Sequence, residues 1–336
     1  MTTYGIIADI GGTNARFALA PIKARKPGEA LQLNESELVE AKTLNGADYE
    51  NIDGAIQAYL DQLPEHITRP VHGVMAIACP TDEDQITMTN HTWAFKVSEI
   101  KAQLGFEFLQ FINDYNALAN SVPHLDEQGA VKIGPGEAVA NMPMVVTGPG
   151  TGLGLGALVF DAQGDPITVQ TEGGHAHFAP NDDVEMSILK YLMQDLDRVS
   201  AERLLSGMGL ENIYQGLCFH HGKAIEKLDA PEISKRALEK TDPIAEQALS
   251  KLCSILGDFA GDAALMLGAK GGVYIAGGII PRFIDYFKTC HFRQRFEAKG
   301  RLSGFVDNIP TYLIVSTQPG LLGSAAVLNH RVKISA

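Results

Sequence analysis

The sequence predicts an α/β protein with two domains, and three observations support that prediction. Short β-rich runs alternate with segments of helical spacing, which is the order of elements in α/β folds. The chain has 336 residues, of which 45% are hydrophobic, so it is long and apolar enough for two cores. A strand, a Gly/Thr turn and a second strand occur together twice, about one domain length apart.

The first of these patterns contains residues 8–16, which read Ala-Asp-Ile-Gly-Gly-Thr-Asn-Ala-Arg. β-rich runs at 4–10 and 17–20 flank the glycines, so the pattern predicts a β-hairpin rather than a strand followed by a helix. A Walker loop would need a Lys-Ser/Thr pair that opens a helix, and a dinucleotide-binding loop would need Gly-x-Gly-x-x-Gly. The stretch has neither motif.

The turn of this hairpin is a candidate phosphate-binding loop. Gly11 and Gly12 uncover backbone N–H groups, and the Thr13 hydroxyl adds another donor. The carboxylate of Asp9 is placed to hold Mg²⁺ through water. An ordinary hairpin with Gly-Gly at its turn is the alternative interpretation.

A second copy of the pattern favours the functional interpretation. Apolar runs at 144–147 and 153–160 flank the turn Gly-Pro-Gly-Thr-Gly at 148–152. Two domains that each present such a turn could hold the phosphates of a nucleotide from both sides.

The remaining elements follow from hydrophobic spacing. Strands are predicted at 38–43, 71–79, 108–112 and 273–276, and helices at 49–63, 97–104, 115–122, 184–196, 202–214, 233–238, 244–267 and 320–326. The polar segment 129–143, rich in glycine and proline, marks the periphery of the second domain. Gly277 and Gly278 follow the strand at 273–276 and would let an adenine or a ribose approach the backbone.

Composition excludes several classes of protein. The chain has 40 acidic and 27 basic residues and a formal charge of −13, which argues against binding to nucleic acid or to an anionic membrane. No export signal or membrane span is expected, because the longest apolar stretch is interrupted by proline and glycines. Four widely spaced cysteines without a Cys-x-x-Cys pair are typical of free thiols in a reducing cytoplasm.

Asn113 and Asp114 lie between a predicted strand and a predicted helix. Both residue types are favoured as helix N-caps, which explains the pair without any function. The functional interpretation is a carboxylate at the carboxyl end of a strand, where ligands of α/β folds bind, that accepts a proton from an alcohol.

Glu172-Gly173-Gly174-His175 is the second group of residues that could bind a ligand or take part in catalysis. The paired glycines allow a tight turn that brings the carboxylate and the imidazole to one small polar ligand. If this segment is extended, His175 and His177 share a face and a metal pair is the alternative, although no third ligand accompanies them. Glu202 alone reads as a residue in the first turn of a helix after a Ser cap.

Seven motifs together resemble the bacterial ATP-dependent glucokinase family. They are Asp-Ile-Gly-Gly-Thr-Asn-Ala-Arg at 9–16, Thr-Asn-His-Thr-Trp at 89–93, Ile-Asn-Asp-Tyr at 112–115, Gly-Pro-Gly-Thr-Gly-Leu-Gly at 148–154, Glu-Gly-Gly-His at 172–175, Ser-Ala-Glu-Arg-Leu-Leu-Ser-Gly at 200–207 and Tyr-Ile-Ala-Gly-Gly-Ile at 274–279. They occur in order and cover nearly the whole chain.

The resemblance implies phosphorylation of the 6-hydroxyl of D-glucose, the first step of glycolysis, with ATP and Mg²⁺. It implies that Asp114 is the general base and that Asn113, Glu172, His175 and Glu202 bind the other sugar hydroxyls. The residues implied to surround Mg-ATP are Ala8, Asp9, Ile10, Gly11, Gly12, Thr13, Asn14, Gly150, Thr151, Gly152, Gly277 and Gly278.

The family also implies the architecture of the hexokinase, actin and heat-shock ATPase superfamily. Two RNase H-like domains would flank a central cleft, a smaller one at 1–123 plus 316–336 and a larger one at 124–315. Members are cytoplasmic homodimers. A related group of kinases and repressors has a cysteine-rich zinc site after the Glu/His motif, but Phe-Ala-Pro stands here at 178–180. The alternatives are a kinase of another hexose and a nucleotide-switched protein of the same fold without catalysis.

Overall fold

The computed structural model describes residues 2–24, 31–88 and 91–333, so Thr89 and Asn90 of the Thr-Asn-His-Thr-Trp motif lie outside the described residues. The strands are β1 (Tyr4–Ile10), β2 (Asn14–Pro21), β3 (Val39–Asn45), β4 (His72–Ile77), β5 (Gln85–Thr87), β6 (Ala94–Lys96), β7 (Phe108–Asn113), β8 (Ala130–Lys132), β9 (Met144–Pro149), β10 (Leu153–Phe160), β11 (Pro166–Val169), β12 (Gly272–Ile275) and β13 (Thr311–Ile314). The helices are α1 (Ile52–Leu60), α2 (Val97–Leu104), α3 (Asp114–Ser121), α4 (Asp183–Leu192), α5 (Gly207–His220), α6 (Ala230–Leu238), α7 (Pro243–Leu267), α8 (Ile284–Phe287), α9 (Phe292–Glu297), α10 (Ser303–Val306) and α11 (Pro319–Arg331).

The chain divides into two compact units. The first unit contains Met1–Gly129, Phe160–Gln170 and Ser316–Ala336, and the second contains Ala130–Val159 and Thr171–Val315. The sequence places 124–129 and 160–170 in the larger domain instead, and that assignment of segments to domains stays a prediction.

The first unit is built on a mixed sheet with strand order β3-β2-β1-β4-β7. β1 pairs with β2 in antiparallel fashion, whereas β1, β4 and β7 are parallel neighbours. One face of the sheet is covered by α11, and the other packs on a core that includes Phe17, Tyr59 and Trp93. α11 also lies close to α3, because a Cβ on Gly323 would come within 1.7 Å of the Ala117 carbonyl oxygen.

The second unit contains the strands β10-β9-β12-β13-β8 in that spatial order. β9, β12 and β13 are parallel, whereas β10 is antiparallel to β9 and β8 is antiparallel to β13. The 25-residue helix α7 packs against α5, α6 and α9 and contacts β9. Among the described residues, no helix has the combination of length and apolarity that crossing a membrane requires.

The structure corrects the helix predicted at 202–214. Residues Ala201–Arg203 form a short 3-10 helix, and α5 begins only at Gly207. The Ser206 hydroxyl accepts a hydrogen bond from Gly209 N at 3.0 Å and caps α5. Two serines precede helix-like spacing in this segment, and Ser206 is the one that caps α5.

Candidate functional site

The first Gly/Thr hairpin has an exposed tip. β1 and β2 pair as far as Ile10 and Ala15, and Gly11 N donates to Asn14 O at 3.0 Å to close the turn. A Cβ added at Gly11 would have its nearest contact with that Asn14 oxygen at 3.8 Å, which is an ordinary van der Waals distance. Packing therefore does not require glycine at position 11, and the missing side chain leaves space for a ligand.

Asp9 lies on β1 directly opposite Arg16 and against the first turn of α11. A Cβ added at Gly320 would come within 2.8 Å of the carboxyl carbon of Asp9, so a glycine is required for this approach. Desolvation raises the pKa of Asp9 above its ordinary value, and the charge of Arg16 opposes that shift. A poorly hydrated carboxylate of this kind is favourably placed for a nearby cation.

Asn113 and Asp114 join β7 to α3, as the sequence predicts. The Asn113 side chain accepts from Tyr115 N at 2.9 Å and caps α3, so the capping interpretation is confirmed. The Asp114 side chain also accepts from Tyr115 N at 2.9 Å. Burial, with the charge of Asp114 as the second cause, raises the pKa of Cys79 to about 11, so this carboxyl group lies close to Cys79, two residues after the end of β4.

These polar groups share one edge of the first unit's sheet. Ile10 and Ile77 are paired neighbours, and Ile77 pairs in turn with Asn113, so β1, β4 and β7 end side by side. The Gly/Thr turn follows β1 and Asp114 follows β7. The carboxyl edge of three parallel strands thus carries both the candidate phosphate loop and the candidate base, which is where α/β folds bind ligands.

The second Gly/Thr hairpin is more tightly enclosed. β9 extends through Pro149, and Gly150 N donates to Gly152 O at 2.8 Å across the turn. A Cβ added at Gly148 would come within 1.9 Å of the Ala276 oxygen, and one at Gly277 within 2.3 Å of the Pro149 oxygen. Two glycines of the predicted nucleotide site, Gly150 and Gly278, have ample space instead.

Glu202 is anchored to this hairpin. Its carboxylate accepts a hydrogen bond from Leu153 N at 3.0 Å, and a Cβ on Gly152 would come within 2.5 Å of the same carboxylate. Gly174 packs against the same residue of β10, since a Cβ added at Gly174 would lie 1.8 Å from Leu153 O. The structure therefore brings Glu202 and the Glu172–His175 segment together around the first residue of β10.

The structure does not support the alternative of a metal site formed by His175 and His177, which required this segment to be extended. Gly173–His175 forms a 3-10 helix rather than an extended strand. The Arg198 guanidinium donates a hydrogen bond to the carbonyl oxygen of His175. Its Nε atom lies 3.3 Å from Nε2 of the His177 ring. In the part of the chain that the structure describes, no group of three or more His, Cys, Asp or Glu side chains is arranged to hold a metal ion.

A pocket of about 890 Å³ opens beside the second hairpin. The predicted residues Gly150, Thr151 and Gly278 line it, which places these three nucleotide-site candidates on one cavity. The remaining wall comes from the start of α5, one face of α6 and the segment before α8; it is formed by Gly207, Met208, Leu210, Glu211, Ala230, Pro231, Ser234, Lys235, Leu238, Glu239, Ile279, Arg282 and Phe283. The sequence analysis missed the α6 wall, because polar residues on an amphipathic helix also describe an ordinary solvent-exposed face.

Comparison with known proteins identifies the class of this fold and site. The sequence profile of the family described as Glucokinase matches residues 6–331. A glucokinase of Citrobacter koseri is 45% identical over 330 residues, which are 98% of this chain and 98% of that protein. The crystal structure of a glucokinase from an Antarctic psychrotroph is 34% identical, with a TM-score of 0.88 over 98% of this chain and 100% of that chain.

A more distant structure has the same fold. A ROK family glucokinase from Streptomyces griseus, solved in complex with glucose and AMPPNP, is 17% identical and has a TM-score of 0.59 over 96% of this chain and 98% of that chain. The architecture is therefore the mixed α/β fold that glucokinases share with ROK sugar kinases. Within that class, the chain belongs to the glucokinase family, which confirms the resemblance seen in its motifs.

Proposed function

We propose that this chain transfers the γ-phosphoryl group of ATP to the 6-hydroxyl of D-glucose, with Asp114 as the general base. The observation that carries this proposal is the position of Asp114 in a chain of the glucokinase family. It follows β7, at the sheet edge that also bears the first Gly/Thr turn. Phosphoryl transfer needs little covalent help from the protein, so an aimed hydroxyl and a nearby proton acceptor suffice.

The proton transfer assigned to Asp114 fits its surroundings. The side chain accepts a hydrogen bond from Tyr115 N at 2.9 Å, which orients the carboxyl group at the start of α3. In this proposal the carboxylate accepts a hydrogen bond from the 6-hydroxyl of the sugar and receives its proton as the phosphoryl group arrives. Asn113, fixed as the cap of α3, offers its amide to a neighbouring sugar hydroxyl.

The second unit is assigned the nucleotide and the rest of the sugar. Gly150, Thr151 and Gly152 would contact phosphates, while Gly277 and Gly278 would border the adenosine in the neighbouring pocket. Glu172, His175 and Glu202 would bind sugar hydroxyls. A carboxylate that accepts from a hydroxyl discriminates strongly against an analogue without that hydroxyl, because the buried acceptor is then left unpaired.

Mg²⁺ is part of the proposal, and Asp9 is the residue that fits it. Its desolvated carboxylate, beside the first phosphate loop, is an oxygen ligand of the kind that Mg²⁺ contacts through its own water shell. When bound to ATP, the ion would neutralise the charge that develops on the phosphates. Ala8, Ile10, Gly11, Gly12, Thr13 and Asn14 complete the proposed phosphate site of the first unit.

The finer architecture belongs to the same proposal. We expect two RNase H-like domains around a central cleft, a homodimer, and activity in the cytoplasm. Closing such a cleft over the sugar would exclude water and so limit hydrolysis of ATP.

A coupled assay of ADP release, with and without glucose, tests the reaction. We expect ADP release to depend on glucose and kcat/KM to be highest for glucose in a panel of glucose, mannose, fructose and N-acetylglucosamine. A different best hexose would establish the alternative of another sugar kinase. Slow ADP release at a rate that is the same with and without each sugar would establish a nucleotide-switched protein without sugar kinase activity.

The variant Asp114→Asn tests the base. Its kcat should fall by about 10² to 10⁴, the usual contribution of general base catalysis, while glucose affinity stays within about tenfold. Asp53→Asn is the matched control, because Asp53 also lies in the first turn of a helix of the first unit. If Asp114→Asn keeps the parental kcat, Asp114 is not the base.

A further inference from the structure

Two of the four cysteines are in contact, although neither belongs to the proposed phosphotransfer site. Cys253 is fully buried on α7, and Cys290 is partly exposed in the turn between α8 and α9. Their thiols lie close enough for each to shift the pKa of the other. The Cys290 thiol donates to the Phe287 carbonyl oxygen at 3.1 Å.

The backbones around this pair are held close by glycines. Cys253, Gly257 and Gly261 recur every four residues and therefore lie on one face of α7. A Cβ on Gly257 would come within 2.2 Å of Phe292 O, and one on Gly261 within 2.5 Å of Phe296 O. α9 therefore approaches the backbone of α7 closely, just beyond Cys290. Disulfides need such proximity, since their Cα atoms are usually about 4.4 to 6.8 Å apart.

Charged side chains hold α9 in the same place. Arg295 of α9 is paired with Asp258 and Glu185, and the Lys299 ammonium lies 2.7 Å from Asp262. Glu185 is fully buried, so its pair with Arg295 is not an ordinary surface contact. The turn that carries Cys290 is thus followed by a helix that is fixed on α7.

We propose that Cys253 and Cys290 are a redox modification site, at which a peroxide converts the two neighbouring thiols into a reversible disulfide. The other two cysteines, Cys79 and Cys218, lie on different elements and are not part of this site.

The environment assigns distinct roles to the two thiols. The interaction with the Cys253 thiol is the largest cause of a lowered pKa at Cys290, and the Phe292 N–H contributes in the same direction. Burial raises the pKa of Cys253 well above its ordinary value, and the interaction with Cys290 adds to that shift. Cys290, which is also the more exposed sulfur, is therefore the nucleophile, and Cys253 stays protonated as the resolving thiol.

The reaction balances with peroxide as the only oxidant. The Cys290 thiolate attacks one oxygen of hydrogen peroxide, the O–O bond breaks, and Cys290 sulfenic acid and hydroxide form. The Cys253 sulfur then attacks the sulfenic sulfur and forms the S–S bond. The S–O bond breaks, and the Cys253 proton leaves with the hydroxyl group as water. A dithiol reductant reverses the oxidation.

The disulfide would act on the nucleotide pocket, an effect that rests on the proposed function. Ile279, Arg282 and Phe283 form one wall of that pocket, and α8 and Cys290 follow them directly in the chain. A covalent bond to α7 restrains this wall. Oxidation should therefore change the KM for ATP by about fivefold, the low end of typical coupling between linked sites, and leave the KM for glucose unchanged.

The experiment treats the full-length protein with a small excess of hydrogen peroxide and maps its peptides by mass spectrometry. We expect a linked peptide containing Cys253 and Cys290, lighter by two hydrogens, together with a Tm higher by several degrees. Dithiothreitol should restore both values. Neither readout depends on kinase activity, so they test the site even if the proposed function fails.

Variants separate the site from general oxidation. Cys253→Ser and Cys290→Ser should each abolish the linked peptide, the Tm shift and the change in KM for ATP. Cys218→Ser, which removes a buried thiol from α5, should retain all three effects. Peroxide treatment that yields no Cys253–Cys290 peptide overturns the proposal, and a disulfide that leaves the KM for ATP unchanged overturns its link to the pocket.

Discussion

The two Gly/Thr hairpins have the same sequence pattern but place very different demands on their glycines. In the first hairpin, a Cβ at Gly11 would meet its nearest atom at 3.8 Å. In the second, Cβ atoms at Gly148 and Gly152 would lie only 1.9 Å from Ala276 O and 2.5 Å from the Glu202 carboxylate. The first tip is thus free of tertiary packing at Gly11, whereas the second is a junction of several segments.

This difference separates glycines that close packing requires from glycines that close packing does not require. A glycine whose Cβ would overlap backbone atoms is required for folding, whatever the protein binds. Gly11, Gly150 and Gly278 have space and do not have a positive φ, so neither packing nor backbone strain explains them. Close approach of a phosphate or a nucleoside, as proposed above, would account for them.

The largest effect that follows from this comparison is expected for Gly148→Ala. The added methyl group would overlap the Ala276 carbonyl. Gly148 lies on β9, and Ala276 directly follows the adjacent strand β12 and donates to Thr147 O at 2.8 Å, so neither can move easily. We expect a loss of about 3 kcal/mol or more in the free energy of unfolding, as for severe overpacking of a core. Urea denaturation measures it.

Gly11→Ala is the matched control in the first hairpin. Its methyl group finds space, so the free energy of unfolding should change by less than about 0.5 kcal/mol. Equal losses of stability in Gly148→Ala and Gly11→Ala would remove the distinction between the two hairpins.

A smaller effect is expected for Gly278→Ala, and it should appear in binding. No atom lies within 4 Å of the Cβ that would be added at Gly278, which lines the pocket. The free energy of unfolding should stay within about 0.5 kcal/mol of the parent, while the KM for ATP rises about tenfold, or ~1.4 kcal/mol. An unchanged KM for ATP would show that the nucleotide does not approach this glycine.

The smallest effect concerns pH and the carboxylates of the two hairpins. Because the pKa of Asp9 is raised in the folded state, folding favours its protonated form, and this group costs stability as the pH rises above its ordinary value of 3.8. Without nucleotide, Asp9→Asn should therefore have a higher Tm than the parent at pH 7, and the difference should vanish as the pH falls below 3.8.

Glu202→Ala provides the contrast in the second hairpin. It removes the acceptor of the Leu153 N–H, so its Tm at pH 7 should be lower than that of the parent, by an amount equivalent to about 1 kcal/mol.

A lower Tm for Asp9→Asn at pH 7 would contradict the prediction for Asp9. It would show that Arg16 and the N-terminus of α11 stabilise the charged form overall.

Local patterns predicted the elements that carry strong local signals. Both hairpins, the parallel strands after them and the cap at Asn113 follow from alternating apolar residues and from turn and cap chemistry. The prediction of a helix at 202–214 was wrong, because local spacing does not distinguish Ser200 from Ser206 as the helix cap. The sequence analysis did not predict β13. This strand has only four residues and follows three short helices, so its hydrophobic spacing gives little signal.

The candidate site could be predicted only in part, because residues from distant elements contribute to it without a distinctive local sequence. Gly150, Thr151 and Gly278 are recognisable from motifs, and the structure places all three on one pocket. Lys235 and Arg282 complete that pocket from distant elements, and nothing in their local sequence distinguishes them from solvent-exposed charges. The contact of Cys253 with Cys290 is likewise a product of helix packing that linear spacing does not reveal.

The position of α11 determines when the first unit can form during synthesis. α11 covers the sheet that begins with β1, its Gly320 lies against Asp9, and the Ser324 hydroxyl donates to Ala8 O at 3.2 Å. The ribosome makes β1 long before α11, so the environment of Asp9 stays incomplete until α11 has emerged. A nascent chain stalled before residue 319 would expose one apolar face of this sheet to chaperones, while every segment of the second unit would already be available to fold.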